Sequence, residues 1–159
     1  MSLDALSRGA RFARAVEWVK DAIAALRANA AALGAGERLE IRRADALAPA
    51  AWAAGAGGPW SIVFVDPPYP MLRDLAMRRR LLAAVERVLL EHCAADGVLV
   101  FHAPAHALSA WEFGESVAVR ERSYGTSTLW YARRPGAAEA PDPPDTNGMN
   151  DTNGGEEPE

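Results

Sequence analysis

The chain has 159 residues, half of them hydrophobic, with 17 Lys and Arg against 21 Asp and Glu and a formal net charge of -4. That length suits one domain with a sizeable core. No apolar run approaches membrane-span length, no signal peptide opens the chain, and the single cysteine, Cys93, excludes an intramolecular disulfide and a cysteine-built metal site, so a cytoplasmic protein without membrane or metal is expected.

In chain order, Leu3 to Arg8 reads as a short helix stopped by Gly9. Arg14-Ala15-Val16-Glu17 is a strand. Lys20 to Leu33 is a helix with Ile23, Leu26, Ala30 and Leu33 along one face, ended by Gly34. Leu39-Glu40-Ile41-Arg42 alternates as a strand, and Pro49 to Ala54 suggests a helical turn. Ser61 to Val65 is rich in β-branched residues and predicts a buried strand. Leu72 to Cys93 is helical, with Leu75, Leu82, Val85, Leu89 and Cys93 facing inward. Gly97 introduces a strand from Val98 to His102. Strands over Phe113 to Arg122 and Thr126 to Tyr131 flank Tyr124-Gly125 as an antiparallel hairpin. This alternation predicts an α/β, doubly wound sheet with an antiparallel edge, over residues 1–134. Trp52, Trp60, Trp111 and Trp130 show no stacking-platform spacing and read as core or rim.

Charge divides the chain differently. Beyond Arg134 there is no Lys or Arg but seven acids, and the segment is rich in Pro, Gly and Asn. Residues 135–159 are therefore expected to be an acidic disordered tail. Residues 1–134 hold 17 basic and 14 acidic residues, about +3, and sixteen of the basic ones are Arg. Arg forks suit phosphate oxygens, though a genome rich in Ala, Arg and Gly codons accounts for the total charge slightly better.

The chemistry concentrates at Asp66-Pro67-Pro68-Tyr69, directly after the apolar strand. Open α/β sheets bind ligands at the carboxyl ends of their strands. Pro67 biases Asp66 toward extended geometry, and neither proline donates a backbone N–H. The Asp66 carboxylate and the Pro67 carbonyl could each accept one N–H of an exocyclic amine, orienting the nitrogen lone pair. Tyr69 could stack on the unstacked base. The plainer reading is a turn that happens to hold Asp-Pro-Pro. Met77-Arg78-Arg79-Arg80 could clamp RNA phosphates, or be a solvated helix face. His92, His102 and His106 lack ligand spacing and read as surface or packing residues, and Cys93 as a core thiol.

Asp-Pro-Pro-Tyr after a strand resembles motif IV of the S-adenosylmethionine-dependent amino-methyltransferases. Leu3-Asp4-Ala5-Leu6-Ser7-Arg8-Gly9-Ala10, Val16-Glu17 with Asn29 on the next helix, Ala44-Asp45-Ala46 and Arg122-Ser123-Tyr124-Gly125-Thr126 resemble, in order, further segments of the bacterial 16S rRNA guanine-N2 methyltransferases, the RsmD family. The resemblance runs to about Arg133. It implies a Rossmann-like fold, S-adenosylmethionine as cofactor and ribosomal RNA or the small subunit as partner; a monomer is expected. It implies that Glu17 binds the cofactor ribose, Asp45 the adenine amine, and Asp66, Pro67, Pro68 and Tyr69 the target guanine, with Arg78, Arg79 and Arg80 toward RNA. An ordinary surface glutamate and a helix N-cap remain the alternatives for Glu17 and Asp45. The family's first strand and Gly-rich loop precede the point at which this chain opens, and Val19 and Phe101 stand where acids are usual. A shortened enzyme with weak cofactor binding is expected. DNA adenine-N6 methylation and a non-catalytic RNA-binding remnant are the competing functions.

Overall fold

A computed structural model describes residues 1–53 and 58–137. The proposed tail falls almost wholly outside those residues, as does Ala54. Helix α1 spans Ser2–Ser7 and leads to strand β1, Ala13–Glu17. Helix α2 spans Lys20–Ala32 and strand β2 Leu39–Arg43. After a 3-10 turn at Pro49–Ala51 comes β3, Trp60–Val65. Helices α3, Tyr69–Arg73, and α4, Leu75–His92, return the chain to β4, Cys93–Pro104. A 3-10 turn at Ala110–Phe113 precedes the hairpin of β5, Ala118–Tyr124, and β6, Ser127–Arg133.

The strands form two sheets. β1 and β2 pair in parallel, and β3, β4, β6 and β5 form a four-stranded sheet in that order. β3 runs parallel to β4, and β6 antiparallel to both β4 and β5. Among the described residues, β1 pairs only with β2 and β3 only with β4, so each keeps one unpaired edge.

The main core lies between α4 and the larger sheet. Leu81, Leu82, Val85, Val88 and Leu89 of α4 are buried, as are Leu99 and Phe101 of β4. Each such aliphatic or aromatic side chain stabilises the fold by about 1.5–3 kcal/mol. Phe113 meets Phe101 edge-on at 5.8 Å and Trp130 at 5.3 Å, which anchors the hairpin. Gly97 is required for close approach, since a Cβ there would stand 2.9 Å from the Trp60 carbonyl oxygen. Gly125 turns the hairpin at φ 56°, in the left-handed region that glycine enters without strain. A smaller core gathers Leu6, Ala13, Ala30, Ala35 and Leu39 around β1 and β2.

Several expected burials fail. β3 is not a buried strand: Val63 is buried, but Ile62 and Phe64 are 53% and 41% exposed. Alternate residues point to opposite faces, and of these three neighbours only Val63 meets a covering element. Leu33 and Leu75 also face solvent. Each sits at a helix end, where periodicity no longer aims the side chain at a neighbour. The long helix expected over Leu72 to Cys93 is broken by Asp74, whose carboxylate accepts the Met77 N–H at 2.9 Å and caps α4. Phe113 lies in a 3-10 turn rather than beginning a strand.

Candidate acceptor loop and cofactor edge

The loop Asp66 to Tyr69 leaves the carboxyl end of β3 and runs directly into α3. Pro67 is buried, while Asp66, Pro68 and Tyr69 are exposed. Pro68, at φ -55° and ψ 134°, is the residue before α3, and its carbonyl accepts the Met71 N–H at 2.9 Å. Tyr69 follows as the first helical residue, 43% exposed. The prolines thus stiffen the loop and seat its middle, while the carboxylate and the ring stay open to solvent.

Asp66 has a partner that the sequence reading passed over. Its Oδ1 lies 2.8 Å from Nδ1 of His102, on β4. His102 follows the apolar run Val98 to Phe101 just as Asp66 follows Ser61 to Val65. In the parallel β3–β4 register Val65 pairs with Phe101, which brings the two polar residues side by side. Adding the pairing of the two runs to their lengths would have found this contact.

Glu17 and Asp45 stand at and just beyond the carboxyl ends of adjacent parallel strands, Glu17 pairing with Arg43. Glu17 Oε1 accepts the N–H groups of Trp18 and Val19 at 2.7 and 2.8 Å. Asp45 Oδ1 accepts the Leu47 N–H at 2.9 Å, holding the turn after β2. Both acids therefore do local structural work, and each holds it with one oxygen. Their remaining carboxylate oxygens are acceptors, the chemistry that suits ribose hydroxyls and an adenine amine.

The three consecutive arginines separate. Arg78 is spent within the fold: its Nε lies 3.1 Å from Glu112 Oε2, its Nη1 donates to the Ala107 carbonyl at 3.1 Å, and its side chain is only 22% exposed. Arg79 and Arg80 are exposed. A hollow of about 180 Å³ runs along α4, lined among others by Leu47, Trp52, Arg80, Arg87 and His92. Asp66, Tyr69 and Glu17 do not line it. The Asp66 and Tyr69 side chains stay exposed to solvent. Among the described residues no group of three or more His, Cys, Asp or Glu is placed to hold a metal ion, and no helix is long and apolar enough to cross a membrane.

Comparison with known proteins places this geometry. Residues 1–133 match the family model described as conserved hypothetical protein 95. A conserved hypothetical protein of Streptococcus pyogenes superposes with a TM-score of 0.65 at 22% identity, over 84% of this chain and 78% of that one. The candidate methyltransferase yhhF of Escherichia coli superposes with a TM-score of 0.61 at 26% identity, over 83% of this chain and 67% of that one. The glycopeptide N-methyltransferase MtfA, in complex with S-adenosyl-L-methionine, shares the fold with a TM-score of 0.57 at 16% identity, over 86% of this chain and 77% of that one. No match was found among curated proteins.

Proposed function

The chain belongs to the conserved hypothetical protein 95 family, the RsmD family, and on that premise we propose that it methylates guanine N2 in small-subunit ribosomal RNA, with S-adenosylmethionine as donor. The observation that carries the reading is the acceptor loop: an exposed carboxylate and an exposed ring, held on a stiff turn at the end of β3 with buried Pro67 between them. Asp66 accepts one N–H of the amine, and the Pro67 carbonyl accepts the other. Together they aim the nitrogen lone pair and stabilise the charge that develops on nitrogen during attack. Tyr69 stacks on the base once it is unstacked.

When bound, S-adenosylmethionine supplies an electrophilic methyl group on sulfur. Glu17 would hold its ribose hydroxyls and Asp45 its adenine amine, each through the oxygen not committed to the backbone. Asp66 and the Pro67 carbonyl keep the amine lone pair aimed at the carbon that such a donor would yield, and an uncharged thioether would be the leaving group. The proton shed by nitrogen goes to Asp66, whose side chain is 47% exposed, and from there to water. Arg79 and Arg80, exposed on the helix after the loop, supply phosphate contacts.

The test is methyl incorporation from labelled S-adenosylmethionine into small ribosomal subunits that lack guanine-N2 methylation, run beside naked DNA. Label in guanine N2 of the subunit RNA is expected. Label in DNA adenine would replace the acceptor, and RNA binding without label on either would leave a binding module. Calorimetry with S-adenosylmethionine alone measures the cofactor half directly, and the divided sheet predicts weak binding there.

A further inference from the structure

The Asp66 carboxylate has a task in the proposed transfer, and its imidazole neighbour has none. Oδ1 of Asp66 and Nδ1 of His102 are 2.8 Å apart, at the length of a charge-assisted hydrogen bond. The side chains are 47% and 29% exposed. Neither is buried so deeply that the contact is forced by packing. Among the described residues, His102 is the one side chain bonded to the Asp66 carboxylate.

A carboxylate offers only lone pairs, so the proton in this contact sits on Nδ1. The hydrogen bond that one ring nitrogen makes decides which nitrogen carries the proton, and here it selects the Nδ1–H tautomer. The consequence for Asp66 is geometric. The last torsion of an aspartate is broad, and a half-exposed carboxylate with no fixed partner turns freely over a wide range. Anchoring Oδ1 to a residue on a central strand ends that freedom. β4 is paired on both sides, with β3 and β6, and Phe101, the residue before His102, is fully buried. The imidazole is therefore carried on one of the most firmly held stretches of the fold.

We propose that His102 is a positioning residue for the acceptor amine: its Nδ1–H holds Asp66 Oδ1, which fixes the carboxylate plane and leaves Oδ2 as the oxygen that accepts the amine N–H. This rests on the reading of Asp66 as the amine acceptor. In-line transfer is sensitive to the placement of the nitrogen, and a misplacement near 1 Å costs on the order of 100-fold. One unanchored carboxylate torsion at the end of β3 moves Oδ2 by distances of that order. His102 touches neither base nor methyl group in this scheme and acts only through Asp66.

The test has two arms, both on the full chain. Long-range proton–nitrogen NMR of the ¹⁵N-labelled protein reads the His102 tautomer above the ordinary histidine range, with His102→Asn assigning the resonance. The Nδ1–H form is expected in the unaltered protein and the Nε2–H form in Asp66→Ala. An Nε2–H ring in the unaltered protein overturns the proposal. The second arm measures methyl transfer to small subunits. His102→Ala is expected to lower kcat roughly 10- to 100-fold while KM for RNA and for S-adenosylmethionine stays within about twofold. His102→Asn, whose amide N–H can reach the same oxygen, is expected to recover most of that loss. An unchanged kcat in His102→Ala, or an asparagine variant as slow as the alanine one, overturns the positioning role and leaves Asp66 as acceptor standing. No transfer by the unaltered chain to any acceptor overturns the reading of the loop itself, and the role of His102 falls with it whatever its tautomer.

Discussion

The Arg14 guanidinium lies 4.8 Å from the centre of the Trp60 ring, and this contact ties the first strand of one sheet to the first strand of the other. Arg14 is almost fully enclosed, with 1% of its side chain exposed. Its Nε and Nη2 donate to Glu40 Oε2 at 2.8 and 2.7 Å, and its Nη1 to the Ala53 carbonyl at 2.7 Å. Phe12 stacks on the same Trp60 ring at 6.2 Å. With no strand pairing between β1 and β3, side chains bridge the two sheets at this end.

Glu40→Gln is expected to destabilise the protein by about 2 kcal/mol, since it leaves an enclosed guanidinium without its carboxylate; the figure sits below that for a fully buried pair because Glu40 is a third exposed. Burial raises the Glu40 carboxyl, but hydrogen bonds and charge from Arg14, then from Arg42, outweigh it and hold it below its ordinary 4.5. The stabilisation is therefore present above pH 4.5 and lost as pH falls through the lowered value. Urea unfolding across that window should show the wild type losing more stability than Glu40→Gln.

Asp66→Ala is expected to lower methyl transfer roughly 100- to 1,000-fold, the usual effect of removing one group that stabilises transition-state charge. Cofactor affinity should stay within about twofold, because Glu17 and Asp45, the residues proposed to hold it, lie at and just beyond the ends of the other sheet's strands. Calorimetry beside the transfer assay checks both, and near-normal transfer would remove Asp66 from the mechanism.

Burial pushes the Cys93 thiol up to about 11, with the nearby Arg134 charge opposing the shift. A thiol reagent at about pH 8 should label the folded protein slowly and the denatured protein at once. Because the folded thiol holds its proton longer, its stabilising share is complete below the ordinary 9.0 and is lost as pH rises toward 11. Chemical denaturation at several alkaline pH values should show that decline, and Cys93→Ala should flatten it.

Arg78→Ala is expected to cost about 1–3 kcal/mol, because Glu112, only 13% exposed, loses its charged partner. Arg79→Ala and Arg80→Ala should change stability by less than about 0.5 kcal/mol. If they touch phosphates, each lowers the salt slope of RNA binding by about one. Thermal melts and binding titrations at several salt concentrations separate the three.

Gly97→Ala would set a Cβ 2.9 Å from the Trp60 carbonyl and 3.1 Å from Cys93 Cβ. Overpacking of this kind costs about 1–3 kcal/mol. A fall in melting temperature with an unchanged far-ultraviolet spectrum is the expected result.

Element types were legible along the chain because they rest on local periods. The run Ser61 to Val65 reads as a strand from its branched residues, α2 and α4 read from their 3.6-residue spacing, and the hairpin turn reads from Gly125, although it falls at Gly125-Thr126, one residue beyond the expected Tyr124-Gly125. The candidate loop stood out for the same reason: a carboxylate, two prolines and a ring follow one another in four positions. Burial was less legible. Ile62 and Phe64 are as apolar as Val63, yet only Val63 is covered, because coverage depends on which element lies against each face.

What the sequence by itself determined is the order of helices and strands and the residue types gathered in the turn at Asp66, since both depend on residues a few positions apart. Only the tertiary structure decided that the strands divide into two sheets, that Arg78 is spent on Glu112, and that His102, 36 positions along the chain, stands 2.8 Å from Asp66. Those pairings follow from strand register and helix packing, which bring distant residues together, and no local period reports them.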